Sequence, residues 1–313
     1  MSKRILFIGV LLISVTCSLN AQQEKLLTNF IFDKMSLNPG ATGIDIVDGI
    51  CATSIYRNQW DKVNGAPNSV LFNVEANLSR YFPSAVGISY YHDAIGFNRQ
   101  NNLTANYSFH LPISNGVLGI GAAVGMVSYG NDPIWQTVDT DASLDPSLNT
   151  TKISQAGLDA NFGLYYKHND GWYAGLSAVH LSETDLDLIN FTTRRHYYMM
   201  GGYTHNVNSD LDIEGNLLVR TDAVKFSSDI NVRGIYQDNF YGGLTFRPSD
   251  AIGIMLGVTG LNVGPGFISG GYSYDITVNR LKGNSWGSHE LFVKYCYMLP
   301  PVPKSVTKNP RWL

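Results

Sequence analysis

The sequence predicts an all-β fold, a transmembrane antiparallel β-barrel of about 14 strands and of the outer-membrane type. Three observations carry that expectation. A secretory leader opens the chain, and no later apolar stretch is long enough to cross a bilayer as a helix, which takes about 20 residues. Only 15% of the 313 residues are charged, beside 31 Gly and 18 Tyr, whereas soluble domains carry roughly 25% charge. Long stretches alternate apolar and polar residues, the period-two pattern of a wall with one face in lipid and the other in a lumen.

Residues 1–21 read as the leader. Lys3 and Arg4 precede an apolar run from Ile5 to Val15, followed by Ser18, Leu19, Asn20 and Ala21, so cleavage is expected after Ala21. Cys17 follows Thr16, where a lipoprotein signal would place a small residue, and lipidation is not expected. Residues 22–49 then form an N-terminal segment assigned to the periplasm. Residues 50–299 form the barrel, and residues 300–313 a periplasmic tail, in which Pro300, Pro301 and Pro303 stop the last strand ahead of Lys304, Lys308 and Arg311.

The clearest strands lie at 102–111, where Leu103, Ala105, Tyr107, Phe109 and Leu111 interleave with Asn102, Thr104, Asn106, Ser108 and His110, and at 155–167. A third, at 69–79, alternates except at Leu71. Weaker runs of the same kind fall near 50–60, 85–92, 117–129, 172–181, 195–205, 211–220, 228–236, 240–247, 251–259, 267–275 and 290–298. Glycines on the polar side of several strands let a strand bend or let something pack close.

Connections add to this, because such barrels have short periplasmic turns and longer outer loops. With the first strand rising from the periplasm, short turns fall near 82–84, 112–116, 169–171, 206–210 and 237–239, while the long polar connections 131–151 and 182–194 fall outside. The short Pro248–Asp250 turn is the one poor fit. Both termini are then expected in the periplasm.

Chemistry is sparse. The formal charge falls from −3 to −5 once Lys3 and Arg4 leave with the leader, so nothing suggests nucleic acid. Gly287-Ser288-His289-Glu290 holds a hydroxyl, an imidazole and a carboxylate, but neighbours in a strand face opposite ways and Ser288 and His289 cannot share a proton. The histidines lack metal-ligand spacing, and Gly119–Gly125 has no helix after it to make a nucleotide loop. The chain is read as a non-enzyme with no cofactor and no metal. Inward positions carry both signs, among them Glu75, Asp159, Lys167, Arg220, Asp229, Arg233, Glu290 and Lys294. Mixed signs favour internal pairing, whereas a charge-selective pore would favour one sign. Arg57 and Gln59, with Asn38 and Pro39 upstream, would either hold the N-terminal segment against the barrel or belong to an ordinary lumen network.

Closure makes the first and last strands neighbours and brings Cys51 near Cys296, both inward by parity. A matched register would allow a disulfide, in the oxidising compartment that the leader implies; a sheared one would part the Cα atoms beyond about 7 Å and leave two free thiols.

Specific strings then point to a family. Asn38-Pro39-Gly40-Ala41-Thr42-Gly43 before the first strand and Tyr56-Arg57-Asn58-Gln59-Trp60 on it resemble the start of the PorP/SprF family of type IX secretion membrane proteins. Gly271-Tyr272-Ser273-Tyr274-Asp275 and Gly287-Ser288-His289-Glu290 resemble that family's closing hairpin. Gly175-Leu176-Ser177, His180-Leu181 and Arg195-His196-Tyr197 fit as well, and Gly40 departs from the Ala often found after the Asn-Pro pair. The resemblance implies an outer-membrane component of the type IX secretion and gliding motility apparatus, working with periplasmic components of that apparatus and with exported sorting-domain cargo. A passive or substrate-specific outer-membrane channel is the alternative.

Overall fold

Residues that alternate in the sequence alternate across a wall. A computed structural model describes residues 25–133 and 151–300. Leu103, Tyr107 and Phe109 point outward and are exposed, while Asn102, Asn106, Ser108 and His110 point inward and are buried. The same division holds around the molecule, so the outer surface is apolar and aromatic and the inner surface polar.

The wall is built from β1 (Gly49–Asn58), β2 (Asn68–Asn77), β3 (Ser84–Ile95), β4 (Asn98–Ile113), β5 (Gly116–Asn131), β6 (Ile153–His168) and β7 (Trp172–Val179). After a small hairpin, β8 (Asp185–Leu186) and β9 (Phe191–Thr192), it continues through β10 (His196–Asn208), β11 (Leu211–Thr221), β12 (Phe226–Tyr236) and β13 (Phe240–Arg247). It ends with β14 (Ala251–Val263), β15 (Gly266–Thr277) and β16 (Ser288–Met298). Apart from β8 and β9, these make one closed antiparallel barrel of 14 strands, each paired with its chain neighbour and β1 with β16. Every strand expected from alternation is present. Closure leaves the wall without an unpaired edge.

The mouths differ. One carries the short turns 78–83, 114–115, 169–171, 209–210, 237–239 and 264–265; the other carries the longer connections 59–67, 180–195 and 278–287 and that between β5 and β6. Short connections at the long-loop mouth are commoner than expected, since 96–97 and 222–225 join 248–250 there. Residues 134–150, with most of the longest expected loop, lie outside the described residues, as do the leader and the tail from residue 301.

The largest departure from expectation concerns residues 22–49, read as a periplasmic segment. Their described part, from Lys25, lies inside the barrel. Leu27, Phe30, Ile31, Leu37 and Ala41 are buried in one cluster with inward residues of the wall, including Ile55, Leu71, Tyr165, Met255 and Phe292. The segment has no period-two pattern and no regular element beyond two single 3-10 turns, Phe30–Phe32 and Pro39–Ala41. What fixes it is burial of apolar side chains against the lumen wall. It starts at the long-loop mouth, descends past β1, β15 and β16, crosses to β5–β7, and leaves at the short-turn mouth to become β1.

Candidate functional site

The head of this plug sits on a buried network of charges. Arg57 of β1 pairs with Asp275 of β15 at 2.7 Å and with Glu290 of β16 at 2.9 Å. Arg247 of β13 approaches Asp275 at 3.7 Å and pairs with Asp229 of β12 at 2.8 Å, and Asp229 also pairs with Arg220 of β11. Three guanidiniums thus face three carboxylates, with every one of these side chains at most 6% exposed. Charges so far from water persist only when paired and hydrogen-bonded. The plug supplies part of that satisfaction. The Thr28 and Asn29 backbone N–H groups donate to the Glu290 carboxylate at 2.9 and 2.7 Å, the Thr28 hydroxyl donates to Asp275, and Arg57 donates to the Thr28 hydroxyl at 3.1 Å.

Lower down, contact is made by backbone against backbone. Asn38 caps the second 3-10 turn by accepting from Gly40 N–H at 2.9 Å, and Pro39 takes the first position of the turn, where its missing N–H costs nothing. The Asn38 amide donates to the carbonyls of Leu164 in β6 and Leu176 in β7 at 2.9 and 3.3 Å. The turn can come this close because the facing wall positions are glycines: a Cβ at Gly121 would overlap Pro39, and one at Gly163 would overlap the Asn38 side chain. Ser108 and His110 then bond the carbonyls of Gly40 and Thr42 at 3.0 Å each. Gly43 has φ +67, a left-handed conformation that favours glycine, and its N–H donates to Glu75 at 2.8 Å.

At the short-turn mouth Asp45 receives Lys34 at 3.1 Å and Lys167 at 2.6 Å. The two charges of the plug pair sustain each other: the Asp45 carboxyl is held below the ordinary carboxylate range by Lys34 and Lys167, and the Lys34 ammonium above its own by Asp45. The Lys34 ammonium also lies 4.1 Å from the centre of the Tyr173 ring. Next to this mouth Cys51 and Cys296 are register partners, with Cα atoms 4.0 Å apart, and are joined by a disulfide.

The motif residues separated by most of the sequence meet at the β1–β16 seam. Arg57 and Glu290 are register partners. Trp60 N–H donates to the Ser288 hydroxyl at 3.1 Å, Asp61 N–H donates to the Gly287 carbonyl at 2.8 Å, and Trp286 N–H donates back to the Asp61 carbonyl at 3.0 Å. Gly287 needs its φ of +86, and a side chain there would meet Tyr274. Gln59 is buried and its N–H donates to the Pro67 carbonyl at 2.9 Å. Tyr56 and His289 are on the other face. The Tyr56 hydroxyl accepts from Asn68 at 3.0 Å, and the His289 ring bonds the Tyr272 hydroxyl at 2.5 Å. Ser288 and His289 therefore do point apart. Asn38, Pro39 and Gly43 are not at the seam; they face β2 and β5–β7.

Several residues that hold the plug escaped the sequence reading. Asp275 appeared only inside a motif, Thr28 and Asn29 carry no pattern, and Arg247 lies at a strand end. The signals that existed were Leu71, which breaks the alternation of β2 because it packs on the plug, and the inward glycines of β5 and β6.

Among solved structures with a similar fold are the monoaromatic hydrocarbon channel CymD, at 10% identity and TM-score 0.51 over 86% of this chain and 93% of that one, and the Ralstonia pickettii toluene transporter TbuX, at 9% identity and TM-score 0.51 over 85% and 93%. At such identities the likeness concerns the fold alone. No curated protein sequence matches the chain. The profile of the family described as type IX secretion system membrane protein PorP/SprF matches residues 19–295, a span that contains the plug, the charged network and all of the barrel wall but Cys296–Met298 at the end of β16. The chain is an outer-membrane β-barrel and belongs to the PorP/SprF family of type IX secretion system membrane proteins.

Proposed function

We propose that this barrel serves type IX secretion as a closed anchor, holding periplasmic machinery or exported sorting-domain cargo at the outer membrane without acting as an open pore. The observation that carries the reading is the plug. A segment of the chain itself fills the lumen, and the inward charges are consumed in pairs with one another and with that segment. A wall whose charges are already paired offers little to a passing ion. Its working surfaces are then the two mouths and the lipid-facing exterior. The usual distribution of loop lengths supports a periplasmic position for the short-turn mouth, and with it an approach of periplasmic partners to Lys34, Asp45, Lys167 and the end of β16.

The deciding experiment combines deletion with reconstitution. Loss of the gene product should block export or surface display of cargo carrying the sorting domain, while the purified protein in a planar bilayer should show no steady conductance. The channel alternative is favoured by the likeness of fold to barrels described as a hydrocarbon channel and a toluene transporter. Steady conductance from the intact protein, with cargo export unaffected by its deletion, would establish that alternative and end the anchor reading.

A further inference from the structure

The closed wall has no edge, but at the long-loop mouth one strand outruns it. β6 pairs with β7 only from Phe162 to Lys167, while on its other side it stays paired with β5 as far as Ile153, opposite Asn131. Beyond Val179 the chain does not follow β6 upward. Leu181 N–H donates to the Ala160 carbonyl at 2.9 Å and the Ser182 hydroxyl to the Leu158 carbonyl at 3.0 Å, after which the β8–β9 hairpin turns onto the inner face of β5 and β6. There Leu186 is buried, a Cβ at Gly157 would overlap Thr184, and Leu188 N–H donates to the Gln155 side chain at 2.8 Å. The Phe191 and Tyr129 ring centres lie 4.0 Å apart. The hairpin therefore braces the projecting sheet from inside without joining it as a strand. Parity fixes what the outer edge presents, because the backbone groups of alternate residues point to the same side of a strand. Ala160 turns its carbonyl toward the β7 side, so the N–H groups of Ser154, Ala156 and Leu158 and the carbonyls of Ser154 and Ala156 point that way too. No described residue pairs with them. A bare edge is not sustained in hydrocarbon, which sets this stretch clear of the bilayer core.

We infer that this edge is a docking site for an extended strand of another polypeptide, which adds beside Ser154–Leu158 through main-chain hydrogen bonds. The inference builds on the reading of the barrel as an anchor, and it gives the long-loop mouth a means of holding a partner. The edge is preformed, since the hairpin holds β5 and β6 from within and little ordering is left for the barrel when the strand arrives. Its outward side chains, Ser154, Ala156 and Leu158, are exposed and are small or apolar, so the added strand matches them with uncharged side chains on that face. A second copy of this chain does not fit. Barrel strands tilt by about 35–45° from the membrane normal, and a two-fold axis along that normal leaves two β6 edges running the same way, crossed at about 70–90°. Strands so crossed form no ladder.

The test puts a benzophenone amino acid in place of Ser154, Ala156 or Leu158, one at a time, in the full-length protein in cells whose secretion apparatus is intact. After irradiation, mass spectrometry of the crosslinked peptides should find the attachments on one segment of one other protein, moving two residues along it for each step of two along β6. Ala156→Pro removes an N–H that points away from β5, a position at which an edge strand tolerates proline. Combined with the photoreactive residue at 154, it should lower the crosslink yield about tenfold, whereas Ala156→Ser, which keeps the N–H, should leave the yield unchanged. Heat-shifted mobility checks that each barrel is folded. Attachments on lipid alone, on β6 of a second copy or scattered over several proteins, or a yield that Ala156→Pro does not lower, would overturn the inference. Deletion of the gene reports on the anchor reading separately: lost export without the stepwise attachments ends the docking edge alone, and stepwise attachments with export unaffected uphold the edge and end the anchor reading.

Discussion

The plug is held by two walls that work by different physics. Along β1, β15 and β16 it completes a network of buried charges, in which Arg57, Asp275 and Glu290 reach Thr28 and Asn29. Along β5–β7 the Asn38–Gly40 turn lies on glycines and bonds to main-chain carbonyls without a charge, the ion pair of Lys167 with Asp45 lying lower, at the short-turn mouth. The first contact is strong because its alternative is so poor, as an unpaired buried carboxylate has nowhere to find compensation. The second is specific because it is close, and any side chain in the gap removes it. Loss of a charge should therefore destabilise barrel and plug together, whereas loss of a glycine should free the plug and leave the barrel standing.

The largest expected effect tests the charged wall. Arg57→Ala strands Asp275 and Glu290 and should lower stability by about 3–5 kcal/mol. The readout is the temperature at which the folded band is lost in gel electrophoresis after stepwise heating. Arg57→Lys should fall between, since an ammonium lacks the fork that spans two carboxylates. An unchanged transition in Arg57→Ala would mean that the network is not what holds the seam.

Next comes the bridge below that wall. Replacing Cys51 and Cys296 with Ala should lower the same transition by about 2–4 kcal/mol, and reductant should then have no further effect. Recovery of both cysteines from the wild-type outer membrane as separately alkylated thiols would remove the bridge from the account.

The glycine wall should respond differently. Gly121→Val displaces Pro39, and overpacking of this kind costs about 1–3 kcal/mol. Its band should still shift with heat, but residues 25–48 should become cleavable by added protease and conductance should appear. A Gly121→Val protein that stays closed would show that the two walls are not separable in this way.

Asn38→Ala is the milder version. It removes the cap and two bonds to wall carbonyls, for a loss of about 1–2 kcal/mol, and should raise protease sensitivity without steady conductance. His289→Ala, on the outer face of the seam, should change stability by no more than about 0.5 kcal/mol and leave plug protection intact.

The wall was legible in the sequence because a barrel strand is a local object: parity alone tells which side chains meet lipid. Inward charges of mixed sign announced internal pairing, and that is what Arg220, Asp229, Glu214 and Arg233 do. The plug was not legible, because Lys25–Asp48 owes its conformation to partners far away in the sequence and has no periodicity of its own. Thr28 and Asn29 look like any polar pair until Glu290 is placed above them. The pieces that did register were Arg57, Asn38 and Pro39 in the reading that holds the N-terminal segment against the barrel, Leu71 as an unexplained exception, and the inward glycines as room for something unnamed. Register between β1 and β16 was equally out of reach, since parity puts two cysteines on one face without saying whether they are level.

The seam has a consequence for the order of assembly. A barrel made from one chain is complete only when its last strand finds its first, and here the last strand brings Glu290 to a site that also needs Arg57 from the first strand and Thr28 and Asn29 from the segment before it. A cylinder that closed around an empty lumen would bury that carboxylate short of its backbone donors. Insertion of the segment and zipping of the final strand pair therefore stabilise one another, and the pairing of β1 with β16 sets Cys51 level with Cys296. Oxidation of that pair ties the last strand to the first across the seam that encloses the segment.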